Sequence, residues 1–210
     1  MAKTLDDLAA KVVNTAASKA AMNNLGICGA HRTGKTTLAI ALSEKLNIPF
    51  IRIDTSEIFA RYNLDPTQPM DFRSRLPIQF EILDHATEIW FRADQPFICD
   101  RTPLDMAAYL LSAIGNNNHD AWCEKKTTKY LEACNRATEE YFQSIVLVPP
   151  AIPIVHEQGK ASPSRGYIEH IHLLCLGLLQ ESAVDAFVID KNVHFDAAVS
   201  AVKRFMGVYN

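Results

Sequence analysis

The sequence predicts an α/β fold, a five-stranded parallel sheet covered by helices on both faces. Three observations carry this. Short apolar runs alternate with amphipathic helical patterns along most of the 210 residues. The runs end on small or polar residues, Gly29, Asp54, Asp100, Pro149 and Asp190. The composition, 48% hydrophobic and 21% charged, is that of an ordinary globular chain able to bury a sizeable core.

The elements follow in order. Residues 3–22 read as an opening helix, with Leu5, Leu8, Val12 and Val13 on one face and a run of alanines favouring helix. This extension, 1–24, precedes the main domain, 25–210, and two uses stay open for it: docking on the domain, or self-association as a homodimer. Residues 25–29 form the first strand and 36–46 the helix after it, striped by Leu38, Leu42 and Leu46. Strands follow at 50–53, at 96–99 (where Pro96 is tolerated only at the strand start), at 145–148 and at 186–189. Helical patterns at 56–62, 74–94, 103–113, 119–142, 166–181 and 195–206 separate them. Buried parallel strands of this kind deliver their carboxyl ends to one ligand cleft.

Several classes of function are set aside by composition. A net charge of -3 gives no general attraction to nucleic acid or anionic lipid, although a local basic cleft remains compatible with it. Five cysteines, Cys28, Cys99, Cys123, Cys134 and Cys175, form neither a disulfide framework nor a Cys/His pattern with zinc spacing. No signal peptide or membrane span is evident, and the longest apolar helical stretch, 171–179, is too short to cross a bilayer. A reducing cytoplasm is the expected compartment, and no membrane partner is expected.

The decisive motif runs Gly29-Ala30-His31-Arg32-Thr33-Gly34-Lys35-Thr36-Thr37, matching GxxxxGK[ST] between a strand and a helix. Gly29 and Gly34 permit backbone angles that turn loop amides inward, and the following helix offers unpaired N–H groups to phosphate. Lys35 is expected at the β- and γ-phosphates of ATP, and Thr36 on a magnesium ion. His31 and Arg32 form the variable interior of the loop, with Arg32 the stronger of the two for a side-chain contact. Thr37 is either a helix-start residue or a contact to the α-phosphate.

A second element is Phe97-Ile98-Cys99-Asp100-Arg101-Thr102-Pro103-Leu104-Asp105. A hydrophobic strand brings Asp100 and Arg101 to the ligand side, and Pro103 suits the first turn of the next helix. Asp100 is expected to orient an acceptor hydroxyl and take its proton, or else to hold magnesium through water. Arg101 supplies positive charge over a transferring phosphoryl group. Asp105 reads as a helix N-terminal acid. Asp54 is a helix cap or an acceptor contact. Arg73, Arg75 and Gln79 follow, with Arg75 and Gln79 one turn apart; one arginine would grip an acceptor phosphate and Gln79 would read a base edge. The segment 149–166 is rich in proline and glycine and resists regular structure; Arg165 leads its polar residues, with Lys160 second. Lys191 and Asn192, after the last strand, suit contact with the nucleotide base.

On GAHRTGKTT, on FICDRTPLD and on the stretch ending in Arg165, the chain resembles the P-loop nucleoside and nucleotide kinases, including thymidylate-kinase-like proteins and related bacterial and phage kinases. The resemblance covers most of 25–205. It implies a three-layer P-loop NTPase fold with strand order 2-3-1-4-5, a closing lid at 149–166, Asp100 as base, Arg101 as phosphate ligand, and ATP and magnesium as cofactors. The reaction expected is phosphoryl transfer to a nucleoside or nucleoside monophosphate. Some phage relatives are similar to kinases acting on hydroxymethyluracil already in DNA, and in that reading DNA is the partner. A P-loop ATPase or nucleotide switch is the remaining alternative.

Overall fold

A computed structural model describes residues 24–65, 70–94, 96–114, 120–151 and 164–208. The expected opening helix at 3–22 lies outside the described residues, as do 152–163 of the expected lid, Lys160 among them. The elements run β1 (Leu25–Cys28), α1 (Lys35–Leu46), β2 (Phe50–Ile51), α2 (Ser56–Arg61), α3 (Phe72–Arg92), β3 (Ile98–Cys99), α4 (Pro103–Ser112), α5 (Ala121–Tyr141), β4 (Ser144–Leu147), α6 (Arg165–Glu181), β5 (Asp185–Val188) and α7 (Phe195–Phe205). All strand pairs are parallel, in the order β2-β3-β1-β4-β5.

Alternation along the strands divides the core into two faces, as a period of two requires. Leu25 and Ile27 of β1 and Val146 of β4 pack with Leu38, Leu42, Val199 and Val202 from α1 and α7. Cys28, Ile145 and Leu147 turn to the opposite face, against α3, α4, α5 and α6. There Trp90 and Phe97 each meet Phe142 edge-on, at ring separations of 5.1 and 5.8 Å. Three layers result.

Strands β2 and β3 are shorter than the apolar runs that announced them. Phe97 N–H leaves the ladder and donates to Asn24 Oδ1 at 3.1 Å, while Asn24 Nδ2 donates to the Tyr141 carbonyl at 2.9 Å. Asn24 thus clamps the amino edge of the sheet. Helix α3 begins two residues before the expected start, because the Asp71 carboxylate caps it by accepting from Ser74 N–H. Among the described residues no helix is long and apolar enough to cross a membrane.

Candidate functional site

The loop between β1 and α1 is shaped by backbone angles that most side chains resist. Gly29 has φ 141°, and a Cβ there would lie 2.6 Å from the Val148 carbonyl oxygen. Gly34, at φ 89°, starts α1 without a side-chain cap, and no acid sits in the first turn. The first N–H groups of α1 are therefore left uncapped by the helix's own side chains at its positive dipole end, a setting suited to an anion. Arg32 also adopts a positive φ, 62°, an angle that costs a non-glycine residue about 1 kcal/mol and that the motif alone does not announce. Inside the loop Thr33 Oγ1 and Lys35 Nζ both donate to the Ala30 carbonyl, at 3.0 and 2.7 Å.

Two residues one turn apart on α4 hold this loop from behind. Asp105 Oδ1 accepts from Gly29 N–H at 2.7 Å, and Oδ2 accepts from Thr102 N–H and Thr102 Oγ1, both at 2.8 Å. Asp105 is thus the helix-start acid the sequence suggested, closing a capping box with Thr102, and is in addition bonded to the loop. Tyr109 Oη accepts from His31 N–H at 2.8 Å and lies 3.1 Å from His31 Nδ1. The His31 ring also lies 5.8 Å from that of Tyr167, whose hydroxyl is 3.1 Å from Ser112 Oγ.

At the end of β3 the Thr36 hydroxyl donates to the Asp100 carboxylate. The predicted metal residue and the predicted acid therefore meet. Arg101, beside them, forms no hydrogen bond or ion pair among the described residues. Asp54 Oδ1 accepts from Ser56 N–H at 2.9 Å; bonding to Ser56 holds its pKa below the usual value, with smaller contributions from the charges of Arg52 and Arg101.

The three α3 residues expected at the acceptor, Arg73, Arg75 and Gln79, differ in their contacts. Arg73 pairs with Asp120 at 2.7 Å and lies 4.5 Å from the Trp122 ring centroid, so its guanidinium ties α3 to the start of α5. Arg75 Nε, by contrast, is buried and makes no hydrogen bond. Gln79 is only 6% exposed, yet its amide makes no hydrogen bond among the described residues. On α5 the Tyr130 hydroxyl is buried beside the Cys134 thiol, its ring edge-on to Phe80.

Arg165 and Lys191, far apart in sequence, share one counter-ion. Arg165 donates to Glu169 at 2.9 Å and to the Pro150 carbonyl at 3.1 Å, and Lys191 lies 3.0 Å from Glu169. Both cations hold the Glu169 pKa below its ordinary value. The exposed Thr37 forms no hydrogen bond or ion pair among the described residues.

Cys28, Asp105 and Cys175 bring possible ligand atoms within 4.8 Å of one another, a convergence that sequence spacing could not show. Burial pushes the Cys28 thiol up, and the Asp105 oxygens already accept three hydrogen bonds. The trio suits core packing better than metal binding.

Sequence reasoning missed the loop contact of Asp105, the roles of Tyr109 and Glu169, and the buried Tyr130 hydroxyl. The spacing of Asp105 and Tyr109, four apart on a helix starting at the cleft, was a signal for the first two.

The family described as an AAA domain matches residues 25–195. No curated protein matches the chain. Among solved structures, deoxyadenosine kinase from M. mycoides with dCMP and dCDP bound is similar, with a TM-score of 0.65 and 16% identity over 89% of this chain and 100% of that one. NadR in complex with NR has a TM-score of 0.65 and 16% identity, over 90% of this chain and 53% of that one. YorR from Bacillus subtilis, in complex with phosphorylated GDP, has a TM-score of 0.53 and 14% identity, over 88% and 95%. At such identities the likeness is one of fold.

Proposed function

The chain belongs to the AAA domain family, and from that premise we propose that it is a kinase transferring a phosphoryl group from ATP to a nucleoside or a nucleoside monophosphate. The observation that carries the reading is the contact of the Thr36 hydroxyl with the Asp100 carboxylate. It joins the phosphate loop to the strand end that also bears Arg101. Two oxygen donors side by side suit magnesium, which would neutralise phosphate charge between them. Lys35, resting on the Ala30 carbonyl, would exchange that oxygen for a phosphate oxygen. Arg101 and Arg165 would bear on the transferring group.

With Asp100 turned toward Thr36, the orienting of the acceptor hydroxyl falls to Asp54, because the oxygens of Asp105 are already engaged. Arg75 and Gln79 suit an acceptor phosphate and a base edge, since both carry polar groups that the protein leaves unmet. Lys191 suits the nucleotide base. The kinases of similar fold that bind deoxynucleotides support this class of acceptor.

The test is a screen with labelled ATP against nucleosides, nucleoside monophosphates and DNA carrying hydroxymethylated pyrimidines. Release of ADP that depends on a nucleoside or monophosphate is expected. Equal ADP release with and without every acceptor would make the protein an ATPase, and transfer to DNA alone would move the acceptor out of the free nucleotide pool.

A further inference from the structure

Two backbone N–H groups of the phosphate loop never face the phosphate. Gly29 N–H is taken by Asp105 and His31 N–H by Tyr109. Both acceptors stand on α4, one helical turn apart, so a single rigid face sets two points along the loop. We propose that Tyr109 is a positioning residue for nucleotide binding. Its hydroxyl fixes the His31 amide and so holds the loop in its phosphate-ready shape before any nucleotide arrives. The inference rests on the reading of the loop as an ATP site.

The physical case has three parts. First, the loop passes through a costly backbone angle at Arg32, next to His31, and such an angle persists only where its surroundings over-determine it. The Tyr109 bond to the adjoining His31 amide is one such restraint. Second, the Tyr109 hydroxyl is held in place by burial rather than by solvent, and burial pushes its pKa well up, so it stays neutral as an acceptor for N–H. Third, the His31 ring lies between Tyr109 and Tyr167, at 6.3 and 5.8 Å. Tyr167 belongs to the first turn of α6, which also carries Arg165. The restraint on the loop therefore reaches the helix that bears a cation of the proposed site. A loop fixed in advance loses less freedom when a ligand binds, and that difference appears as affinity.

Tyr109→Phe removes the hydroxyl and keeps the ring. The affinity for a non-hydrolysable ATP analogue, measured with magnesium, should weaken by roughly 2- to 10-fold, the equivalent of one ordinary hydrogen bond. The KM for the acceptor should stay unchanged, and so should adenosine binding, which does not engage the cradle. A merely structural role would lower the melting temperature and leave the ratio of analogue to adenosine affinity where it was. Hydrogen exchange on the nucleotide-free wild type gives a second measurement that needs no variant. The His31 amide should be protected, and rapid exchange at that amide would overturn the proposal even if Tyr109→Phe does not fold. Unchanged analogue affinity in a folded Tyr109→Phe protein would also overturn it. If the wild type itself fails to bind the analogue, the ATP reading falls, and this inference with it.

Discussion

The phosphate loop and the acceptor side of the cleft are built in opposite ways. Around the loop, several backbone, hydroxyl and ammonium groups are met by protein: Gly29 and His31 N–H by α4, Thr33 and Lys35 by Ala30, Thr36 by Asp100. On the proposed acceptor side Arg101, Arg75 Nε and the Gln79 amide make no hydrogen bond among the described residues. Unmet buried polar groups cost stability, and a fold retains few of them without reason. On the proposed reading, the loop is braced in advance and the other side is completed by what it binds. Stability and selectivity should therefore respond differently to substitution on the two sides.

The largest effect should come from the braced side. Lys35→Ala is expected to lower turnover by roughly 100- to 1,000-fold while the melting temperature stays within a few degrees, since this side chain contributes charge and not packing. Near-normal turnover in the folded variant would dissolve the comparison at its root. Asp100→Asn comes next. If its carboxylate serves magnesium, the magnesium concentration for half-maximal activity should rise by roughly 10- to 100-fold, with the acceptor KM little changed. A rise in acceptor KM instead would return Asp100 to the role of base.

The proposed acceptor side should behave in reverse. Gln79→Leu removes an amide that makes no hydrogen bond among the described residues, so it should leave stability within about 1 kcal/mol of the wild type. The same change should raise the acceptor KM roughly tenfold, read by steady-state kinetics beside a thermal melt. Loss of stability with an unaltered acceptor KM would show that Gln79 belongs to the core and not to the site.

The smallest effect belongs to Glu169. Its pKa lies below the ordinary 4.5 because Lys191 and Arg165 favour the ionised form. Its contribution is present in full above that value and is lost as pH falls through the lowered folded pKa. Glu169→Gln should therefore shift the melting temperature slightly at neutral pH, by less than about 1 kcal/mol in stability, and not at all in strong acid. High salt should erase the difference, and a shift that survives both acid and salt would assign Glu169 to packing.

The same division explains what could be read from the sequence. The fold was legible because strand and helix periods are local, and polar residues mark where each strand ends. The loop was legible because its glycines and lysine stand at fixed spacing. The brace of Asp105 and Tyr109 was not, since it depends on which helix packs behind the loop. The pairing of Arg73 with Asp120 was equally hidden, since it depends on where the start of α5 packs against α3. The lid expectation depends largely on residues outside those described. Acceptor identity was illegible for a physical reason, because groups awaiting a ligand do not declare their partner in the chain.

The Asp105 carboxylate serves two masters, capping the helix after the acid–arginine strand and holding Gly29. Modularity is limited by that arrangement. An engineer wishing to change acceptor preference would naturally exchange the segment after β3 for that of a relative. Any donor segment lacking a carboxylate at position 105 would loosen the ATP cradle along with it. In the proposed kinase the two substrates' sites are joined by a side chain that is expected to touch neither, and transplants that respect only the contact residues should fail for want of it.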